Sequence, residues 1–88
     1  MLFDPNDPPE PATAARAGAR LKRTSATIRK WSERYDARQL GRVGRQVIYD
    51  YRDLATIDGC MHRGEPVPPT PEERDRLRAK RRATALAA

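Results

Sequence analysis

The side chains best suited to chemistry in this 88-residue sequence are cations, not nucleophiles or metal ligands. Ten of the eighteen lysines and arginines fall between Arg16 and Arg45, where Glu33 and Asp36 are the only acids. That segment carries a net charge of +8, although the whole chain carries +6. Cations concentrated in this way are typical of surfaces that bind phosphates, so the sequence predicts a polyanionic partner.

Residues 24 to 35, TSATIRKWSERY, predict an amphipathic helix that positions part of this charge. Successive residues step by about 100° around a helix, so Ile28, Trp31 and Tyr35 share one apolar face, which we expect to be buried. The polar positions available for contacts are Thr24, Ser25, Thr27, Arg29, Lys30 and Arg34. Such a helix can dock on a small core and offer cations to a nucleic-acid groove. A solvated charged face is the alternative.

Residues 36 to 49, DARQLGRVGRQVIY, predict a short β-hairpin. Leu40 and the run at 47–49 have strand propensity, while Gly41 and Gly44 indicate the turn. The residues expected near its tip are Arg42, Arg45 and Gln46. Arginines there would contact phosphates or enter the minor groove, and they would contribute affinity more than sequence reading. An ordinary connecting hairpin with solvated arginines is the alternative.

Two further helices are expected to complete the core. The first spans Thr13 to Leu21, with Thr13 as N-cap and Gly18 costing about 1 kcal/mol of helix propensity relative to alanine. The second follows an N-cap at Asp50. Its apolar face is formed by Leu54, Ile57 and Met61.

Proline-rich segments flank this region on both sides. Residues 1–11 hold four prolines and three acids, and we expect a disordered acidic tail because proline lacks the donor for regular pairing. Residues 12–63 would form the folded domain. Residues 64–88 predict a Pro-rich linker and a basic C-terminal helix or arm with an N-cap at Thr70. That helix has almost no apolar stripe, so we expect it to be exposed or partly formed; a basic arm on flanking phosphates and a partner-binding helix are the alternatives.

Catalytic, metal-binding and membrane patterns are weak. Cys60 and His62 form a lone C-x-H, short of the four ligands of a structural zinc site. The P-loop, nucleophile-elbow and H-E-x-x-H motifs do not occur. No apolar run approaches the ~20 residues that cross a bilayer, and the acidic N-terminus is unlike a signal peptide. We expect a cytoplasmic protein, nucleoid-associated in a bacterial or phage-infected cell, that is not an enzyme and uses no metal or cofactor.

Residues 13 to 58 resemble the winged helix-turn-helix of MerR-like and phage excisionase-like proteins. The resemblance rests on TAARAGARL, SATIRKW and GRQVIYDYRDL. It implies a second helix in the major groove and a wing on the flanking backbone or minor groove. Lys22 and Arg23 depart from the family, whose members usually carry glycine and an aliphatic residue there.

The resemblance assigns DNA contacts by position. Those from the helix would be Thr27, Arg29 and Lys30, and those from the wing Arg42, Arg45 and Gln46. Arg29 is the candidate for a bidentate contact to guanine. The expected phosphate contacts are Arg23, Lys30, Arg34, Arg42 and Arg45, with Thr24 and Ser25 at the start of the helix.

The expected fold is therefore mainly α with a small β-hairpin, a winged helix-turn-helix. The expected function is sequence-specific binding of double-stranded DNA, as an excisionase (recombination directionality factor) of a phage or mobile element or as a small transcriptional regulator. A homo-oligomer, cooperative assembly on DNA, a recombinase or another protein partner would supply the remaining specificity. A packaging adaptor resembling a terminase small subunit, or a basic protein-interaction module, is the alternative.

Overall fold

The computed structural model describes residues 8–87, which form a mainly helical domain with a small antiparallel sheet. The helices are α1 (Ala14–Leu21), α2 (Ser25–Tyr35), α3 (Tyr51–Arg63) and α4 (Pro71–Ala87). The strands are β1 (Pro11–Ala12), β2 (Gln39–Val43) and β3 (Gln46–Asp50). They lie in the order β1-β3-β2 with both pairs antiparallel. The expectation of a mainly α fold with a small hairpin is confirmed at this level, and β1 is an addition to it.

β1 makes the sheet three-stranded because it pairs with the central strand. Pro11 lies opposite Asp50 at the sheet edge, so the expectation of a disordered tail is wrong for Pro11. An edge strand accommodates proline because the missing N–H is not needed there. Glu10 is also fixed: its carbonyl accepts from the Tyr51 N–H at 2.7 Å, and its N–H donates to Asp50 Oδ1 at 3.2 Å. Residues 1–7 of the expected tail lie outside the described residues.

Each helix begins at a side-chain cap, and the caps predicted from the sequence are confirmed. They are Thr13, Thr24, Asp50 and Thr70. Each side chain accepts a hydrogen bond from a backbone N–H two or three residues later, at 3.1 to 3.2 Å. Of the two hydroxyls considered for α2, Thr24 is the cap and Ser25 is the first helical residue. These caps satisfy donors that the first turn of a helix leaves unpaired.

The connection between α1 and α2 is a tight turn that explains Gly18. Lys22 ends α1 in the left-handed conformation, with φ at 59°. The Arg23 N–H then donates to the Gly18 carbonyl at 2.8 Å. A Cβ at Gly18 would lie 2.5 Å from the Arg23 carbonyl oxygen, which no real side chain tolerates. Gly18 is therefore required by the close approach of the turn to α1, whatever it costs in helix propensity.

The core lies where α1, α2, α3 and the sheet meet. Its fully enclosed side chains include Ala17, Ile28, Leu54 and Ile57, each 0% exposed. Trp31 and Tyr35 pack against this cluster but are only half-buried. The expectation of a fully buried apolar face on α2 is therefore correct for Ile28 and wrong for the two aromatic residues. Alanines on α1 let α2 approach closely, and the larger rings are left at the margin of the core.

The β2–β3 hairpin differs from its prediction at one glycine. Gly44 lies in the turn with φ at +59°, a conformation that favours glycine. Gly41 instead lies inside β2, opposite Ile48 and beside a register shift that follows Gln39. Its expected place in the turn is therefore wrong, because Gly41 lies at a bulge within the strand.

α4 is docked on α3 through a buried arginine. Arg74 is 0% exposed, and its Nε and Nη2 donate to the two carboxylate oxygens of Asp53 at 2.5 and 2.8 Å. It also donates to the carbonyls of Pro68, at 2.7 Å, and Asp36, at 3.3 Å. The Arg38 N–H completes the site by donating to Asp53 Oδ2 at 2.8 Å. The expectation of an exposed helix is wrong for the first turns of α4, which dock through charge instead of an apolar stripe.

Candidate nucleic-acid interface

Three predicted contact residues from two elements that are separate in sequence lie around one cleft. Arg29 of α2 and Arg45 at the hairpin turn line an opening of about 210 Å³, together with Gln46 of β3. The first turn of α1 forms another wall, where Thr13 and its neighbouring alanines lie. The residues that line this cleft include no acid. The fold therefore brings the helix and hairpin cations to a shared surface, which we call the α2–hairpin cleft.

The start of α2 holds the three hydroxyl residues of the predicted site. Thr24 Oγ1 accepts from the Thr27 N–H at 3.1 Å and donates to Thr27 Oγ1 at 2.9 Å. Ser25 Oγ accepts a long hydrogen bond of 3.4 Å from Arg29 Nη2, one turn later. The Thr24 hydroxyl is therefore occupied by capping, while the Arg29 guanidinium is exposed and only weakly held.

The other predicted cations fall on different parts of the surface. Lys30 is exposed on the outer side of α2, and Arg34 is exposed on the flank away from Arg29. The Arg34 guanidinium lies 5.8 Å from the ring centroid of its neighbour Tyr35. Arg42 is exposed on β2, opposite Val47 of β3. These exposed side chains lie outside the lining of the α2–hairpin cleft.

Arg23 is placed differently from the other predicted phosphate contacts. Its Nε donates to Asp58 Oδ1 of α3 at 2.9 Å, and its guanidinium lies 5.8 Å from the Trp31 ring centroid. The side chain is 41% exposed. Arg23 thus joins the turn before α2 to α3, and a phosphate would have to compete with Asp58 for it.

Ion pairing divides the cations of the chain into two groups. Within residues 8–87, none of the predicted contact residues on α2 or the hairpin pairs with a carboxylate. That group is Arg29, Lys30, Arg34, Arg42 and Arg45. The paired acids are Glu10, Asp50, Asp53, Asp58, Glu65, Glu72 and Asp75, none of which lies on α2 or at the hairpin tip. The fold therefore pairs most arginines between α3 and the first turns of α4 with carboxylates. It leaves these five cations, like Arg76 and Lys80 on the exposed side of α4, without an ion pair among residues 8–87.

The base of the hairpin is held by acids and arginines that pair with each other. Burial by itself would raise the pKa of Asp50, but hydrogen bonds from Arg52 and from the Glu10 N–H outweigh it and hold that pKa below its ordinary value. Burial would lower the pKa of Arg38, and the Asp75 carboxylate, 2.8 Å from Nη1, keeps it above its ordinary value. The lowered pKa of Asp50 keeps its carboxylate charged at neutral pH, where it accepts from the Glu10 and Arg52 N–H groups at the end of β3.

Some residues of this surface were missed by the sequence interpretation. Thr13 lines the α2–hairpin cleft although it was assigned only as a cap. Lys22 is exposed beside the turn, and within residues 8–87 it has no ion pair. Its place in the basic segment between Arg16 and Arg45 was the available signal.

The only cysteine and histidine of the sequence do not form a common site. Cys60 is fully buried on α3, whereas His62 is exposed two residues later. Among residues 8–87, no group of three or more histidines, cysteines, aspartates and glutamates is arranged to hold a metal ion.

Comparisons with known proteins add no relative to this description. No protein-family model matches the chain, and searches of curated proteins and of solved structures also give no match. In the described part of the chain, every helix is too short or too polar to cross a bilayer.

Proposed function

We propose that this protein binds duplex DNA as a winged helix-turn-helix. In this proposal α2 enters the major groove and the β2–β3 hairpin acts as a wing on the flanking backbone or minor groove. Arg29 reads a base edge, while Lys30, Arg34, Arg42 and Arg45 contact phosphates. The protein contributes binding without catalysis, metal or cofactor.

The proposal rests on which cations of the fold have a carboxylate partner and which have none. Cations without an acidic partner at α2 and the hairpin tip cost little free energy while they face solvent. They stabilise a complex with a polyanion most strongly, because binding releases the counterions condensed on it. Many arginines around α3 and the first turns of α4 are paired with carboxylates, whereas the cations of α2 and the hairpin tip have no such partner among the described residues. The α2–hairpin cleft adds a concave junction between the two elements, which a ridge of the DNA backbone can follow.

The sequence resemblance to MerR-like and excisionase-like proteins supports a more specific role than DNA binding alone. We propose action as an excisionase of a phage or mobile element, or as a small transcriptional regulator, with cooperative assembly or a recombinase partner adding specificity. Effective concentration, rather than new base contacts, would then raise the affinity.

Fluorescence anisotropy on labelled duplexes over a salt series tests DNA binding. The logarithm of the affinity should fall linearly with the logarithm of salt concentration, by about 0.9 for each phosphate contact. The double variant Arg42→Ala/Arg45→Ala should lower that slope. Arg76→Ala/Lys80→Ala, which removes the same charge from exposed positions of α4, should leave it unchanged.

Two outcomes would contradict the proposal. Absence of binding at low salt would exclude a DNA-binding role, and equal losses in the two double variants would show general attraction to the net charge. Selection from a random duplex pool then tests base reading, because a defined motif is expected only if α2 contacts base edges.

A further inference from the structure

A second basic surface lies between α3 and α4, on the side of α3 that turns away from the core. α3 packs inward through Leu54, Ile57 and Cys60, each 0% exposed. Successive positions step by about 100°, so Ala55 and Gly59 lie on the opposite side of the helix. That side faces away from α2 and therefore from the proposed DNA surface.

The two helices enclose an open cleft of about 320 Å³ there, which we call the α3–α4 cleft. Four arginines form its walls over small residues: Arg52, Arg63, Arg78 and Arg81, with Ala55 and Gly59. Arg63 lies across Gly59, since a Cβ at that position would be 3.1 Å from Arg63 Nη1. The cleft is therefore lined by planar cations and by the small residues Ala55 and Gly59, with Tyr51 and Thr56 beside them.

Arg52 and Arg78 are paired with Asp50 and Asp75, so the excess of cations around the cleft lies at Arg63 and Arg81. Arg63 Nε donates to Glu65 at 3.0 Å, and Arg81 donates to the same carboxylate oxygen, so two arginines share one acid. These hydrogen bonds hold the pKa of Glu65 below its ordinary value. Glu10 is the acid that lines the cleft, and it is paired with Arg20. The side chains of Arg63 and Arg81 remain 43% and 41% exposed, so a partner can reach them.

We propose that the α3–α4 cleft docks an acidic segment of a partner protein. Aspartate or glutamate carboxylates take charge-assisted hydrogen bonds from Arg63 and Arg81 in place of Glu65. The small residues at the base admit the peptide chain. Glu10 and Glu65 accept from peptide N–H groups, whereas a phosphodiester has no donor to offer them. The cleft therefore favours an acidic polypeptide over a DNA backbone.

This inference goes beyond the proposed function and does not depend on it. A chain that holds DNA on α2 and the hairpin, and an acidic protein on the far side of α3, can bind both partners at once. The class of partner is any protein that presents an acidic, partly apolar segment.

The test uses the full chain and a fluorescein-labelled peptide of glutamate with interspersed leucine. A lysine-for-glutamate peptide is the control ligand, and inorganic phosphate is the competitor. Arg63→Ala/Arg81→Ala should weaken binding of the glutamate peptide by about tenfold. Arg76→Ala/Lys80→Ala, with the same charge change on α4 outside the cleft, should leave peptide affinity unchanged.

A third variant tests the shape of the cleft without changing its charge. Gly59→Ala places a methyl group at the base and displaces Arg63, so peptide affinity should fall although no charge is lost. Circular dichroism of each variant confirms that the fold is retained. The same variants should keep wild-type affinity for duplex DNA, so failure of one proposal is distinguishable from failure of the other.

Three results would overturn the inference. They are equal loss of peptide binding in both double variants, full competition by inorganic phosphate at the peptide's own affinity, and loss of DNA binding in Arg63→Ala/Arg81→Ala. The first indicates general charge attraction, the second a simple anion site, and the third a part of the DNA surface.

Discussion

Arg74 of α4 and Asp53 of α3 form a two-point ion pair whose side chains are 0% and 1% exposed. The pair joins α4 to the core without an apolar stripe, and the Pro68 and Asp36 carbonyls satisfy further Arg74 donors. A buried charge is tolerated because it is both paired and hydrogen-bonded. Arg74 is therefore the buried contact that joins α4 to the core, and the more exposed Arg38–Asp75 and Arg81–Glu65 pairs add to it.

Arg74→Ala should destabilise the domain by about 3–5 kcal/mol, because it leaves the Asp53 carboxylate buried without its cation. Urea unfolding followed by circular dichroism measures this loss. Asp53→Leu/Arg74→Met should recover much of it, since the replacement removes both charges. A loss below about 1 kcal/mol for Arg74→Ala would mean that the pair is hydrated and contributes little.

Gly18→Ala and Gly59→Ala should have opposite effects on stability, although both put alanine inside a helix. At Gly18 the new Cβ meets the rigid Arg23 carbonyl at 2.5 Å, and overpacking of this kind costs about 1–3 kcal/mol. At Gly59 it meets only the end of the Arg63 side chain, so the gain in helix propensity of up to about 1 kcal/mol should prevail. Thermal unfolding of the two variants makes the comparison, and a stabilised Gly18→Ala would contradict the tight turn.

Trp31→Ala should leave a folded protein. The ring is only half-buried, so we expect a loss of about 2 kcal/mol instead of the 3–5 kcal/mol typical of a fully buried aromatic residue. Ile28→Ala, at a position with 0% exposure, should be at least as damaging despite its smaller side chain. Denaturant midpoints of the two variants decide the order, and unfolding of Trp31→Ala alone would assign the ring to the core.

Arg29→Ala should weaken binding to a selected DNA site by about 1–3 kcal/mol more than binding to random duplex, if Arg29 contacts a guanine. Its guanidinium is exposed and held only by Ser25 at 3.4 Å, so the substitution should not change the fold. Competition anisotropy with both duplexes measures the difference. Equal losses on all sequences would make Arg29 a phosphate contact.

Asp50 should contribute to stability at neutral pH and lose that contribution in acid. Its pKa in the folded protein lies below its ordinary value, so the contribution is complete above the unfolded pKa of about 3.9. It disappears as the pH falls through the lower, folded pKa. Asp50→Asn should therefore differ most from the wild type near neutral pH. Urea unfolding at several pH values checks this, and a difference that is constant down to acid pH would contradict it.

Local patterns predicted much of the fold. Thr13, Thr24 and Thr70 act on N–H groups in their own first turn, so sequence spacing alone identifies them as caps. Ile28 and Leu54 were predicted as core because helical periodicity places them on apolar faces. The exposure of Arg29 and Lys30 was also predictable, because helical periodicity places them on the side of α2 away from Ile28.

Long-range relationships were not predictable in the same way. Arg74 pairs with Asp53, which lies 21 residues away in the sequence, and Arg23 pairs with Asp58, which lies 35 residues away. Nothing in the local sequence distinguishes these two arginines from solvated ones. Pro11 likewise joins a sheet because Asp50 is brought beside it, although proline is unfavourable in strands by propensity.

The Arg74–Asp53 pair also bears on how a cell would treat incomplete copies of this protein. A product that stops within residues 64–73 would keep α1, α2, the hairpin and α3, yet its Asp53 would lack the arginine it requires. Such a product would populate its unfolded state far more than the longer chain, and proteases act on that state. The basic surface on α2 and the hairpin therefore persists only in chains that extend through Arg74, although none of its residues lies that late in the sequence.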